Sequence, residues 1–155
     1  MSRWVIVFLV LMVCRASGAE VGDPIPEFTL RTFDGTTVSR ATLAGQPLLL
    51  IFWNTWCPNC MRELPEINRL AGKFGPGGLK VLAVNSAIND SEKKARAYWE
   101  NQGYIFPTGF DHYFEIGQAF GLRGVPTVFL VDSKGIVRFK QARVPDDTVV
   151  ENETN

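Results

Sequence analysis

Two rhythms of apolar residues run through this chain. Leu48-Leu49-Leu50-Ile51-Phe52 is an unbroken apolar run of strand length, as expected of a strand buried on both faces. Beyond it the period changes. Met61, Leu64, Ile67, Leu70, Ala71 and Phe74 recur at three- and four-residue intervals, which predicts an amphipathic helix over residues 60–74, closed by Gly75-Pro76-Gly77-Gly78. Pro65 should kink that helix unless it falls near the first turn. Residues 80–85 (KVLAVN) predict a second buried strand, and residues 91–101 a helix that Ser91 can cap. A short extended piece at 105–107, a helix at 113–120 ended by Gly121 and a strand at 127–131 follow. Asp132-Ser133-Lys134-Gly135 then turns the chain into residues 136–139 as a hairpin. Near the other end, residues 27–30 and 36–38 flank the turn signal Phe33-Asp34-Gly35 and predict a small hairpin ahead of the rest.

Strands alternating with helices and finished by a hairpin define an α/β fold, a mixed sheet with helices on its faces. A chain of 155 residues, 46% hydrophobic, builds one domain with a proper core and is too short for two. That domain is expected over residues 21–144. Residues 145–155 offer only Val149 and Val150 as apolar anchors and are expected to form a loose polar tail.

The first residues follow another design. Met1-Ser2-Arg3 carries a positive charge, residues 4–14 are an unbroken apolar run, and Ala16-Ser17-Gly18-Ala19 offers small residues suited to cleavage. Residues 1–19 read as a secretory signal peptide. The run falls short of the ~20 residues that span a bilayer, so a retained membrane anchor is the second reading. Val13 before Cys14 speaks against lipidation there. The chain balances 16 basic against 16 acidic residues, and loss of Arg3 and Arg15 with the leader leaves a small acidic excess. Neither balance favours nucleic acid or an anionic membrane surface as partner.

Export changes the meaning of the cysteines. Without Cys14, Cys57 and Cys60 are the two that remain, in a compartment where disulfides persist. A bridge between them would close a very short loop and stabilise little, so a reagent is a better reading than a staple. Zinc needs four ligands, which two cysteines and the distant His112 do not supply, and c-type haem attachment needs histidine where Met61 stands. No metal or other cofactor is expected beyond a redox-active disulfide.

Phe52-Trp53-Asn54-Thr55-Trp56-Cys57-Pro58-Asn59-Cys60 at the end of a buried strand, with Gly124-Val125-Pro126-Thr127 opening a later one, resembles the thioredoxin superfamily. Within it the chain is similar to the TlpA-like and ResA-like extracytoplasmic thiol-disulfide oxidoreductases, over residues 21–140. The resemblance implies a thioredoxin-like fold with an N-terminal β-hairpin and a helix and strand inserted over residues 91–106. It also implies that Pro126 is a cis-proline facing the cysteines, which places the Val125 backbone where it can pair with an extended substrate segment. The plainer reading is a trans proline opening a strand. The chain departs from the family in three places. Ile51 stands where thioredoxins place a buried aspartate, six positions before the first cysteine. Pro58-Asn59 differs from the commoner arrangement with proline just before the second cysteine, which leaves the direction of electron flow open. The closing helix of the family is cut short, leaving one sheet face bare or covered by another chain.

A helix that begins at the motif puts Cys57 at its N-terminus, where free backbone N–H groups and the positive end of the dipole favour thiolate over thiol. Cys57 is then the attacking nucleophile, and Cys60, one turn further, resolves the mixed disulfide. Glu63, three residues past Cys60, matches a glutamate that the ResA-like branch carries near its cysteines and is the candidate acid/base. The plainer reading is a helical glutamate pointing into water. Trp53 and Trp56 read as packing and rim residues, with Trp56 shielding the cysteines and bordering the substrate site. His112 reads as a solvated surface residue.

These readings converge on a protein-disulfide reductase, a periplasmic or otherwise extracytoplasmic monomer. Its partners are disulfides of exported proteins, including those of cytochrome c maturation, and a membrane thiol-disulfide electron donor that re-reduces it. The alternatives are a disulfide oxidase or isomerase of the same fold, a thiol peroxidase of the peroxiredoxin kind, and a redox-inert binding module. In a peroxiredoxin the peroxidatic cysteine follows Thr-x-x, and Thr55-Trp56-Cys57 is one residue short.

Overall fold

The computed structural model describes residues 18–154, and its first regular element is the small hairpin: β1 (Thr29–Arg31) pairs antiparallel with β2 (Thr37–Ser39). The Asp34 carboxylate accepts from the Thr36 N–H at 2.9 Å, and Gly35 supplies the left-handed backbone (φ 88°) that the turn requires. β3 (Leu48–Trp53) is buried at every position and forms the centre of the main sheet. β4 (Lys80–Asn85) and then β5 (Thr108–Phe110) lie parallel to it on one side. On the other side β6 (Thr127–Val131) is antiparallel to β3, and β7 (Val137–Gln141) antiparallel to β6. The order is β5-β4-β3-β6-β7. α1 (Pro58–Phe74) links β3 to β4, α2 (Glu92–Gln102) links β4 to β5, α3 (Glu115–Ala119) precedes β6, and α4 (Asp147–Thr154) follows β7.

The alternation of side chains along β3 sorts the core into two layers. Leu49, Ile51 and Trp53 pack with Leu64, Ile67 and Leu70 of α1, Trp99 of α2 and Val150 of α4. Leu48, Leu50 and Phe52 pack with Ile116 of α3, Phe120, and Phe28 and Leu30 of the hairpin. Pro65 lies beyond the first turn of α1, where its missing N–H forfeits the bond to the Met61 carbonyl.

Three expectations are corrected. The extended piece expected at 105–107 is not a strand: β5 begins at Thr108, because Pro107 has no N–H for the ladder and contributes only its carbonyl, to the Ala83 N–H at 3.0 Å. The helix expected at 113–120 is shorter, Glu115–Ala119. Phe114 takes a left-handed backbone (φ 58°), and its ring fills the space where Gly117 would carry a Cβ. Within the tail expected to be loose and polar at 145–155, Asp147–Thr154 instead form α4. Val150 is fully buried, Arg69 and Lys73 of α1 converge on Asp147 at 2.6 and 2.8 Å, and Lys73 also reaches Glu151 at 3.2 Å. The buried Val150 anchors the helix, and the exposed ion pairs add a smaller contribution.

The expected signal peptide falls outside the described residues except for Gly18 and Ala19. Ala19 is buried in the α3-side core, and Gly22 N–H donates to the Val137 carbonyl at 2.8 Å, so the chain joins the domain before residue 21. Among the described residues no helix is long and apolar enough to cross a membrane.

Candidate active site

Antiparallel pairing sets the end of β3 against the start of β6, with Phe52 opposite Thr127. The turn that carries Cys57 and the segment Gly124-Val125-Pro126 therefore reach the same edge of the sheet. β4 runs parallel to β3, so the loop from Asn85 to α2 arrives there as well. Cys57 is the N-cap of α1, with an extended backbone (φ −96°, ψ 102°), Pro58 follows in the helix's opening, and the Cys57 Sγ accepts from the Cys60 N–H at 3.1 Å. Cys57 and Cys60 are joined by a disulfide, their Cα atoms 5.2 Å apart. Cys57 keeps 3% of its surface exposed and Cys60 none, so an incoming sulfur meets Cys57 first.

The Val125–Pro126 peptide bond is cis, and Val125 is half-buried against both core layers. Ile51 is fully buried in the cluster that holds both cysteines, so an aliphatic side chain occupies the place of the thioredoxin aspartate. Glu63 is half-buried, and its Oε2 accepts from the Val144 N–H at 2.8 Å in a cleft shared with Arg69, Arg143 and Asp147. Trp53 is a packing residue: it is fully buried, donates to the Thr108 hydroxyl at 3.0 Å and lies against Tyr98 and Trp99. Trp56 is half-exposed, and its Nε1 donates to the Ile88 carbonyl at 2.8 Å, which joins two exposed apolar side chains into a rim. His112 is exposed beside Glu92, at 3.4 Å, at the start of α2. Among the described residues no three His, Cys, Asp or Glu side chains gather into a metal site.

Sequence reasoning missed a polar cluster at the ends of β3 and β4, beside the turn that carries Cys57. Asn54, Asn85 and Ser86 are fully buried and bond to one another, and Asp90 joins them to Thr55. Burial alone would push the Asp90 carboxyl up. Hydrogen bonds from Asn85, from the backbone and hydroxyl of Thr55 and from the Ser91 N–H outweigh it and hold the group below the usual carboxylate range. The signal available in the sequence was three polar residues, Asn54, Asn85 and Ser86, at the close of two largely apolar strands.

A bridged Cys-x-x-Cys capping a helix, on the edge that a cis-proline shares, defines a thioredoxin-like thiol-disulfide oxidoreductase. The AhpC/TSA family model matches residues 21–140, and the chain belongs to that family. It is 31% identical over 117 residues to "Thiol-disulfide oxidoreductase ResA" of Halalkalibacterium halodurans, covering 76% of this chain and 65% of that relative's length. It is also 31% identical over 161 aligned positions to "Thiol:disulfide interchange protein DsbE" of Yersinia pestis, covering 96% of this chain and 82% of the relative. A solved thiol:disulfide interchange protein of the thioredoxin family from Chlorobium tepidum superposes with a TM-score of 0.72 at 27% identity, covering 90% of this chain and 100% of the other.

Proposed function

We propose that the protein reduces disulfides of exported proteins outside the cytoplasm, including those handled in cytochrome c maturation, by dithiol-disulfide exchange at Cys57 and Cys60. The observation that carries this reading is the bridged pair at the N-cap of α1, with Cys57 slightly exposed and Cys60 fully buried. The likeness to the relatives named thiol-disulfide oxidoreductase ResA and thiol:disulfide interchange protein DsbE supports the exchange chemistry.

In the reduced protein the Cys57 thiolate attacks one sulfur of a substrate disulfide. An S–S bond forms to Cys57, and the substrate's other sulfur leaves as a thiolate and takes up a proton. Cys60 then gives up its proton and attacks the Cys57 sulfur, which closes the bridge and releases the second substrate thiol. The substrate gains two electrons and two protons: the cysteine pair supplies both electrons, Cys60 supplies one proton, and the other comes from solvent, to which Cys57 gave up its own on ionising. Glu63 acts as acid/base for the Cys60 proton. The Val125 backbone beside Pro126 pairs with the substrate strand, and Trp56 borders it. The pair itself is the redox group, so no cofactor enters. A membrane thiol-disulfide donor restores the dithiol, because the compartment is oxidising. Residues 1–19 deliver the protein, which acts as a monomer.

Cys60→Ala expressed in cells should accumulate a mixed disulfide between Cys57 and an exported protein, identified by mass spectrometry after non-reducing gel separation. Capture of no exported protein refutes the reading. The unusual Pro58-Asn59 pair keeps an oxidase or isomerase as the second reading. A reduction potential near ~ −270 mV marks a reductase, and one near ~ −120 mV an oxidase.

A further inference from the structure

One carboxylate locks the turn before Cys57 to the loop between β4 and α2. Asp90 Oδ2 accepts from the Thr55 N–H at 2.7 Å and from Asn85 Nδ2 at 2.8 Å. Its Oδ1 accepts from the Thr55 hydroxyl at 2.7 Å and the Ser91 N–H at 2.9 Å. A second tie runs from Trp56 Nε1 to the Ile88 carbonyl at 2.8 Å. The two residues directly before Cys57 are thus both held by the same loop. The Cys57 N–H in turn donates to the Asn54 carbonyl at 3.2 Å, and the Asn54 side chain belongs to the same cluster.

That loop is strained. Ala87 has φ of 63°, a left-handed conformation that alanine adopts at a cost, and Asn89, at φ 50°, is of a type that takes it more readily. Such strain persists only where the surroundings over-determine it, and it concentrates at functional sites. Here the surroundings are the hydrogen bonds to Asn85, Ser86 and Asp90. The beneficiary is the turn into α1. A sulfur at a helix N-cap gains from the free N–H groups only while it stays over them, since the field falls off within the first turn. Donors held in place beforehand stabilise a developing charge more than donors that must reorganise.

We propose that Asp90 is a positioning residue for thiol-disulfide exchange: by fixing Thr55 and the turn after it, Asp90 holds Cys57 over the N-terminus of α1 and so sets its reactivity. The inference rests on Cys57 being the attacking thiol. Acting as a bare charge, Asp90 would work in the opposite direction, because a carboxylate near a thiolate disfavours it. Position and charge therefore predict opposite signs.

The test is the pH dependence of iodoacetamide alkylation at Cys57 in the reduced protein, followed by peptide mass spectrometry, for wild type, Asp90→Ala, Thr55→Val and the double variant. The midpoint of the profile should rise by about 0.5 in Asp90→Ala, which slows alkylation at neutral pH about threefold. Thr55→Val should move it the same way, and the double variant no further than Asp90→Ala, because the hydroxyl contact that Thr55→Val removes is already lost with the Asp90 carboxylate. Should Asp90→Ala fail to fold, Thr55→Val alone carries the test. A midpoint that falls in Asp90→Ala and stays put in Thr55→Val assigns Asp90 the role of a charge and overturns the proposal. Unchanged midpoints with lowered thermal stability assign it a purely structural role and overturn it too. Wild-type Cys57 no more reactive than a thiol in an unfolded peptide overturns the assignment of Cys57 itself, and the proposal with it.

Discussion

Glu63 Oε2 accepts a hydrogen bond from the backbone N–H of Val144 at 2.8 Å, which ties the early part of α1 to the loop that leads into α4. Glu63 also sits one turn beyond Cys60 on the same helix, where residues three apart share a face. The carboxylate thus has a structural duty on one oxygen and a candidate chemical duty as acid/base for the cysteines.

Two substitutions separate the duties. Glu63→Gln keeps an acceptor oxygen for Val144 and removes the charge, so its stability should stay close to wild type while the thiol titration of the cysteine pair departs from it. Glu63→Ala loses the acceptor as well and should cost about 2 kcal/mol in urea denaturation. Superimposable titrations of Glu63→Gln and wild type leave Glu63 as a tether alone.

What the sequence reveals depends on whether the signal is local. The six buried positions of β3, the period of α1 and the Ser91 cap, which accepts from the Lys94 N–H at 3.4 Å, all leave traces within a few residues. Cys57, Cys60 and Pro126 are legible because their motifs are short and their order is fixed by strand pairing. The Thr55–Asp90 lock spans 35 residues and has no periodicity, so it leaves no trace. α4 is hidden for the same reason: its partners Arg69 and Lys73 lie 78 and 74 residues before Asp147. The start of β5 misleads because Ile105 and Phe106 carry strand propensity while Pro107 cannot extend the ladder.

α4 contributes through its buried valine more than through its ion pairs. Val150→Ala removes two methyl equivalents from a fully buried site and should lower stability by about 2 kcal/mol in chemical denaturation. Asp147→Asn breaks exposed pairs with Arg69 and Lys73 and should have a much smaller effect that vanishes at high salt. Equal losses would mean that the helix is held by charge.

Acid should weaken the fold partly through Asp132. Burial pushes its carboxyl up, but the Ile136 N–H, Arg138 and the Lys134 N–H outweigh this and hold it below the usual range. A group whose folded value is depressed contributes fully above its unfolded value, about 3.9 for aspartate, and its contribution is lost as pH falls through the folded value. The stability gap between wild type and Asp132→Asn should therefore be constant above about pH 5 and close as pH drops below about 4. A gap that ignores pH would assign the effect of Asp132 to shape alone. Asp90, depressed in the same direction, should follow the same curve.

The family to which the chain belongs raises the question of whether Cys57 reduces peroxides. That reaction needs the thiolate to attack one peroxide oxygen, forming a sulfenic acid and expelling hydroxide, with a nearby hydroxyl to orient the peroxide. The threonine here is one residue closer to the cysteine than a Thr-x-x-Cys spacing places it, and its hydroxyl is committed to Asp90 Oδ1 at 2.7 Å. Cys57 is also nearly covered, while the flanking rim of Trp56 and Ile88 is apolar and exposed, a surface suited to a polypeptide more than to hydrogen peroxide. Cys60→Ser should therefore consume hydrogen peroxide no faster than its thiolate content predicts for an ordinary thiolate, while still forming mixed disulfides with protein substrates. Rapid stoichiometric consumption, with a sulfenic acid trapped at Cys57 by dimedone, would move the assignment from disulfide exchange to thiol peroxidase chemistry.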